Sequence, residues 1–231
     1  MSSGVNYNDR ALVVGKTRSG KSVLTRMLAA QSTGARLLII DVKGDVESGV
    51  TPIGNVGSID WSAPVVHFRP GSMGREVFAE LYDQVLAAGG PTVVWLDEAR
   101  GVTTSNYAPD GLLVVQMQGA RLGIGHLVCC QRPYNVAVEL RSEAEHFFIF
   151  GPLARRDADS LAEEIGRVDG YELTGRRLAE MLDEIQAEHG RHAFLWYDRR
   201  ERTLTLCEPI PAAWEQHPLA RPQDDVPEWE Q

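Results

Sequence analysis

The chain has 231 residues and a formal net charge of −9, from 23 basic and 32 acidic side chains. That length suits one α/β domain with interior enough for a substantial core. The charge excludes a basic nucleic-acid coat, so any DNA contact has to come from local loops or an oligomeric pore.

Met1 to Asp9 is polar and reads as a loose lead-in. Ala11-Leu12-Val13-Val14 is a short apolar strand. It feeds Gly15-Lys16-Thr17-Arg18-Ser19-Gly20-Lys21-Ser22, and a helix is predicted from Ser22 to Ala30. This is G-x-x-x-x-G-K-[ST] in its strand–loop–helix setting, the phosphate-binding P-loop. An ordinary Gly-rich turn can share the spacing; the flanking strand and helix favour the P-loop. Gly15 and Gly20 let the backbone curl where side chains would block a phosphate. The loop N–H groups and the helix N-terminus then face the anion. Lys21 is expected at the β- and γ-phosphates of ATP, and the Ser22 hydroxyl on Mg²⁺. The expected nucleotide cradle is Gly15 to Ser22 with Val23. Lys16 and Arg18 have two open readings, phosphate contact or exposed loop.

Ala35 to Asp41 is a second buried strand, closed by the polar turn Asp41-Val42-Lys43-Gly44-Asp45. Gly49 to Ser62 reads as loop, Pro64 to Arg69 as a third strand. Val77, Phe78, Leu81, Val85 and Leu86 share one face of a helix over Arg75–Ala88, stopped by Gly89-Gly90-Pro91. Thr92 to Leu96 is an apolar strand that ends in Asp97-Glu98, the Walker B pattern. There Asp97 holds Mg²⁺ through water and Glu98 polarises the attacking water. A buried strand with an acidic cap has the same residues; the upstream P-loop favours the catalytic reading.

Gly101 to Gly111 is a polar loop, followed by a helix over Leu112–Leu122 and a strand over Gly125–Cys130 that ends at Gln131. His126, at a strand start, reads as structural. Glu145 to Phe150 is a further strand; Arg155–Ile165 and Gly175–Glu188 read as helices. Ala193–Tyr197 and Thr203–Leu206 form a terminal hairpin. The division is a P-loop ATPase domain over 1–207 and a Pro-rich acidic tail over 208–231, without a core of its own. Cys129, Cys130 and Cys207 lack metal-ligand spacing and read as buried thiols in a reducing compartment. Lys16, Lys21 and Lys43 are the only lysines, a bias that base composition explains. No apolar run reaches bilayer length and no leader pattern opens the chain, so a cytoplasmic protein is expected.

Strands alternating with helices predict a mostly parallel α/β sheet, RecA-like, with helices on both faces and a small C-terminal hairpin. Ligands of such sheets bind at the carboxyl ends of the strands. The P-loop, Asp41, Arg69, Asp97-Glu98 and Gln131 all fall there.

Taken in order, these motifs resemble the FtsK–HerA superfamily of P-loop DNA-pumping ATPases. The resemblance rests on the P-loop, Ile40-Asp41-Val42-Lys43-Gly44-Asp45, Leu96-Asp97-Glu98-Ala99, and Arg121-Leu-Gly-Ile-Gly-His126 running into Cys130-Gln131-Arg132-Pro133. It covers about Leu12 to Phe150. Val42 stands where the family has proline, Gly125 is inserted before His126, and Cys130 replaces threonine. Within the superfamily the short chain looks like the genome-packaging ATPases of tailless, membrane-containing icosahedral viruses. The resemblance implies Gln131 as a sensor of the γ-phosphate and Arg121 as the arginine given in trans by a neighbouring subunit. Arg100, Arg132, Arg155 and Arg156 compete with Arg121. It further implies double-stranded DNA, a homo-oligomeric ring of five or six subunits, and capsid-vertex or membrane proteins of a virion as partners. Loop Gly101–Asp110, with Asn106 and Tyr107 near its tip, is the candidate DNA contact. Three alternatives stand: a cellular HerA- or conjugation-type pump, a small-molecule kinase, and a non-motor ATP switch. The Asp97-Glu98 pair favours water over a kinase acceptor.

Overall fold

A computed structural model describes residues 4–168 and 170–219. Its strands are β1 (Arg10–Val14), β2 (Arg36–Ile40), β3 (Val65–Phe68), β4 (Thr92–Leu96), β5 (Ile124–Cys130) and β6 (His146–Phe150), then β7 (Arg167–Val168), β8 (Tyr171–Glu172), β9 (Phe194–Asp198) and β10 (Thr203–Cys207). The helices are α1 (Lys21–Gln31), α2 (Arg75–Ala88), α3 (Asp110–Leu122), α4 (Glu139–Ser142), α5 (Arg155–Ile165) and α6 (Gly175–His189). Eight strands form one sheet in the order β10-β9-β6-β1-β5-β4-β2-β3. The six from β6 to β3 are parallel to their neighbours, while β9 is antiparallel to both β6 and β10. This is the predicted α/β architecture with its terminal hairpin.

The central strands read as continuous apolar runs because both faces are covered. On one face α2, α3, α5 and α6 bury Phe78, Tyr82, Val115, Leu161 and Leu182 against Leu12, Leu38, Val94 and Phe147. On the other, α1 is the only long helix among the described residues, and Leu24 and Leu28 pack on Val13, Ile39 and Trp95. Residues 208–219 complete that face. Leu219 is buried there, and Arg26 of α1 donates to the carbonyls of His217 and Glu47 at 3.0 and 2.6 Å. The described part of the expected tail therefore adds to the domain core; 220–231 lie outside the described residues.

Two short elements escape the periodicity reading, α4 and the β7–β8 pair, since neither is long enough to show a period. The lead-in also needs correction. Residues 1–3 lie outside the described residues, but 4–9 lie against the amino-terminal edge of the sheet rather than hanging loose. Asp9 is 2% exposed. Its carboxylate accepts from the Asn6 N–H at 2.7 Å, lies 3.0 Å from His146 Nε2, and takes the Arg200 guanidinium. The Asp9 carbonyl takes the His126 N–H at 3.0 Å. Gly125 is required for this approach: a Cβ there would overlap the Tyr7 carbonyl. Gly125, the residue inserted before His126, is thus the one that admits the lead-in.

His126 is structural, as expected. Its Nε2 lies 3.0 Å from the Tyr82 hydroxyl and its Nδ1 2.9 Å from Gln116 Oε1, all three side chains buried. Burial, reinforced by the nearby Arg10 charge, pushes its pKa down to about 3. The unfolded chain therefore binds a proton between pH 6.5 and 3 that the folded chain does not, so this contribution to stability is lost as pH falls through that window. Urea midpoints measured from about pH 7 to about pH 5 should fall for the wild type. The fall should be shallower in His126→Gln, which cannot titrate.

Candidate active site

The carboxyl edge of the parallel strands reads, across the sheet, Gly15 after β1, Gln131 after β5, Asp97-Glu98 after β4, Asp41 after β2 and Arg69 after β3. Backbone bonds tie neighbours together at this edge. Gly15 N–H donates to Cys130, Asp97 N–H to Ile40, and Asp41 N–H to Phe68.

The P-loop is tightly wound. Gly20 has φ 106 and Arg18 φ 63, so one left-handed residue is not glycine. Side chains at Gly15 would strike Ser19 Oγ and Phe150 Cβ at 2.6 and 2.7 Å. Lys21 is buried, and its Nζ donates to the Gly15 and Lys16 carbonyls at 2.6 and 2.8 Å. Burial holds Lys21 below its ordinary pKa, with the neighbouring Lys43 charge adding to the effect. Lys16, Thr17 and Arg18 are exposed, Ser19 is buried, Ser22 is exposed on the first turn of α1 and Val23 is half-buried. Arg191 and His192 brace the loop from behind, through the carbonyls of Arg18 and Ser19.

A hydrogen-bonded row crosses the edge. Thr17 Oγ1 donates to Gln131 Oε1 at 3.4 Å, and Gln131 Nε2 donates to Glu98 Oε2 at 3.0 Å. Gln131 thus spans the Gly15–Ser22 loop and Glu98. Asp97 is 1% exposed, and neither of its carboxylate oxygens has a hydrogen-bond partner. Lys43 Nζ approaches Oδ2 at 3.3 Å as an ion pair. Burial raises the Asp97 pKa, and Lys43 offsets only part of that rise. A buried carboxylate without hydrogen bonds fits a divalent cation. Asp97 and Ser22 are the residues that would hold Mg²⁺. Asp41 and Asp45 bring further carboxylate oxygens, all three aspartates lying within 4.8 Å of one another.

Arg121 lies elsewhere. It ends α3, just before β5, at the amino-terminal edge, and its Nη2 donates to Gln118 Oε1 at 2.8 Å. Among its competitors, Arg132 pairs with Asp157 at 2.6 Å, Arg155 with Asp159 at 3.8 Å, and Arg156 sits over the Tyr134 ring. Arg100 follows Glu98 and is exposed. In the loop before α3, Thr104 and Tyr107 bond each other's backbone, and the Arg75 guanidinium lies 4.1 Å from the Tyr107 ring centre. Sequence reasoning placed Asp41 and the Lys43 turn at this edge without a role. It missed the Thr17–Gln131 link altogether, since nothing in a loop threonine announces a partner 114 residues away.

No protein-family profile matches the chain, and no curated protein matches it in sequence. Solved structures do match. The genome-packaging NTPase B204 from Sulfolobus turreted icosahedral virus 2, in complex with AMP, superposes with a TM-score of 0.73 at 19% identity. The match covers 90% of this chain and 100% of that one. Its complex with ATP-γ-S gives 0.70 at 18% identity, with the same coverage. B204, the DNA-packaging ATPase from Sulfolobus turreted icosahedral virus, gives 0.68 at 19%, again over 90% and 100%. The chain therefore has the P-loop NTPase fold of viral genome-packaging NTPases, matched over their full length.

Proposed function

We propose that this chain is an ATP-driven translocase of double-stranded DNA, a viral genome-packaging motor that hydrolyses ATP in a homo-oligomeric ring. The observation that carries the reading is the row Thr17–Gln131–Glu98 beside Lys21 and Asp97. It joins the phosphate loop to the residue read as the base, next to the buried, unbonded carboxylate of Asp97, at one sheet edge. A P-loop alone serves many chemistries; this row serves water as acceptor. The shared fold with packaging NTPases supports the choice of motor over kinase or switch.

In this reading Lys21 leaves its two carbonyls for the β- and γ-phosphates. Glu98 orients the attacking water and takes its proton. Mg²⁺, held by Asp97 and Ser22, would neutralise charge on the phosphates. Gln131 exchanges hydrogen bonds when the γ-phosphate leaves and passes that change to Thr17 or to the following Arg132-Pro133 segment. Arg121, at the opposite edge, serves as a finger only from a second copy. That demands a head-to-tail contact, the kind that closes rings. The net charge of −9 puts DNA on axial loops such as Gly101–Asp110, not on an outer face. The working places are the host cytoplasm and the virion, with capsid-vertex or membrane proteins as partners.

ATPase rate with and without duplex DNA, alongside mass in solution, tests the reading; a monomer indifferent to DNA would overturn it. Lys21→Ala should lose nucleotide binding in a direct titration. Glu98→Gln should keep binding and lose about 10²–10⁴-fold in turnover; turnover near wild type would remove Glu98 as base. Mixed rings of Arg121→Ala and Lys21→Ala subunits should recover activity, because an intact loop meets an intact finger where they adjoin. Rings shown to be mixed but inactive would move the finger to Arg100, Arg155 or Arg156.

A further inference from the structure

One of the three lysines lies against the catalytic carboxylates on a rigidly built turn. Asp41, fully buried, accepts through Oδ1 from the N–H groups of Gly44 and Asp45 at 2.8 and 3.1 Å. Its Oδ2 lies 3.1 Å from His67 Nε2 and accepts from Arg69 Nη2 at 2.9 Å. His67 Nδ1 in turn lies 2.8 Å from Ser48 Oγ. Ser48, His67 and Asp41 have the membership of a hydrolase triad, but all three are buried, and Ser48 Oγ is committed to both backbone groups of Val50. They form a pedestal. With Gly44 at φ 79, the pedestal sets the path of the turn and carries Lys43 across from β2 to the end of β4.

Lys43 Nζ lies 3.3 Å from Asp97 Oδ2 and 3.5 Å from Glu98 Oε2. The Glu98 oxygen it approaches is the one Gln131 also holds. One hydrogen bond, from Gln131, and one ion pair, from Lys43, therefore converge on one oxygen, leaving Oε1 as the oxygen that neither of them approaches. A long side chain with a point charge reaches both carboxylates, and its ammonium stands beside the unbonded oxygens of Asp97.

We propose that Lys43 is a positioning residue of this site. It fixes Glu98 through Oε2, and its charge opposes a divalent cation at Asp97, so that metal binding has to overcome Lys43. The inference rests on the hydrolytic reading given above and adds to it a competition between a tethered and a free cation. Both halves follow from the distances. Removing a positive charge beside a metal ligand strengthens cation binding. Freeing a general base from one of its two holders loosens its aim at water.

The two effects have opposite signs, which a merely structural turn would not produce. The experiment titrates Mn²⁺ into the nucleotide-free protein by electron paramagnetic resonance, for wild type, Lys43→Met and Lys43→Arg, with Asp97→Asn to confirm that the signal reads Asp97. Steady-state kcat and KM for ATP are measured on the same proteins, with circular dichroism melts. Lys43→Met should bind Mn²⁺ about tenfold more tightly yet lose about 10- to 100-fold in kcat with little change in KM, the range of supporting residues around metal ligands. Lys43→Arg keeps the charge, so it should keep wild-type Mn²⁺ affinity and recover most of kcat. Folded Lys43→Met with unchanged or weaker Mn²⁺ affinity overturns the proposal, as does unchanged kcat. If the wild type shows no ATPase activity, the hydrolytic reading fails by itself, and the Mn²⁺ titration still decides the competition at Asp97.

Discussion

Everything at this site depends on where β5 enters the sheet. It pairs in parallel with β1 on one side and β4 on the other, so the phosphate loop and the acidic pair are not adjacent but one strand apart. The gap is one strand spacing wider than direct pairing would leave, roughly 5 Å. Gln131, at the end of the intervening strand, is the side chain that spans it. Its amide carries an acceptor and a donor, and both are used: the oxygen faces the Thr17 hydroxyl and the NH₂ faces Glu98. A side chain with only acceptors could not donate to the Glu98 carboxylate.

The same parallel arrangement brings charges into a dry region. Lys21, Asp97 and Glu98 are each 9% exposed or less, and burial works against the ionised forms of Lys21 and Asp97 alike. Lys43 ends with a raised pKa because Asp97 and Glu98 outweigh its own burial. The site is therefore a set of mutually dependent ions, in which changing one shifts the ionisation of the others. The nearby thiol of Cys129, pushed up to about 12 by burial, and that of Cys130, raised well above its usual value, stay neutral and serve as apolar packing.

At the opposite edge a second ionic cluster does different work. Asp9 and Glu145 take Arg200 between them, Arg10 adds a pair to Glu145 at 3.0 Å, and His146 lies between Asp9 and Asp198. These contacts join the N-terminal segment, β6 and the β9–β10 turn, which are far apart in sequence. They anchor the amino-terminal edge, where Arg121 also stands. The molecule thus presents its candidate site at one end of its strands and an ion-paired scaffold at the other. A head-to-tail neighbour would set one against the other.

The P-loop, the strand ends and the Asp97-Glu98 pair were legible in the sequence because each is local. A glycine spacing, an apolar run and its polar cap sit within a dozen residues, and the backbone chemistry they require is carried by those same residues. The alternation of strands and helices was legible for the same reason. What only the tertiary structure decided is non-local. Strand order placed β5 between β1 and β4, gave Gln131 its two partners and set Lys43 against Asp97 and Glu98. It packed residues 4–9 and 208–219 onto the sheet, though both are polar or Pro-rich and carry no periodic signal of their own. It also put Arg121 at the edge away from the P-loop, since α3 must end there for β5 to begin. Periodicity reports which face of an element is buried; it carries no record of which element lies against it, and in this protein the candidate site is assembled between elements.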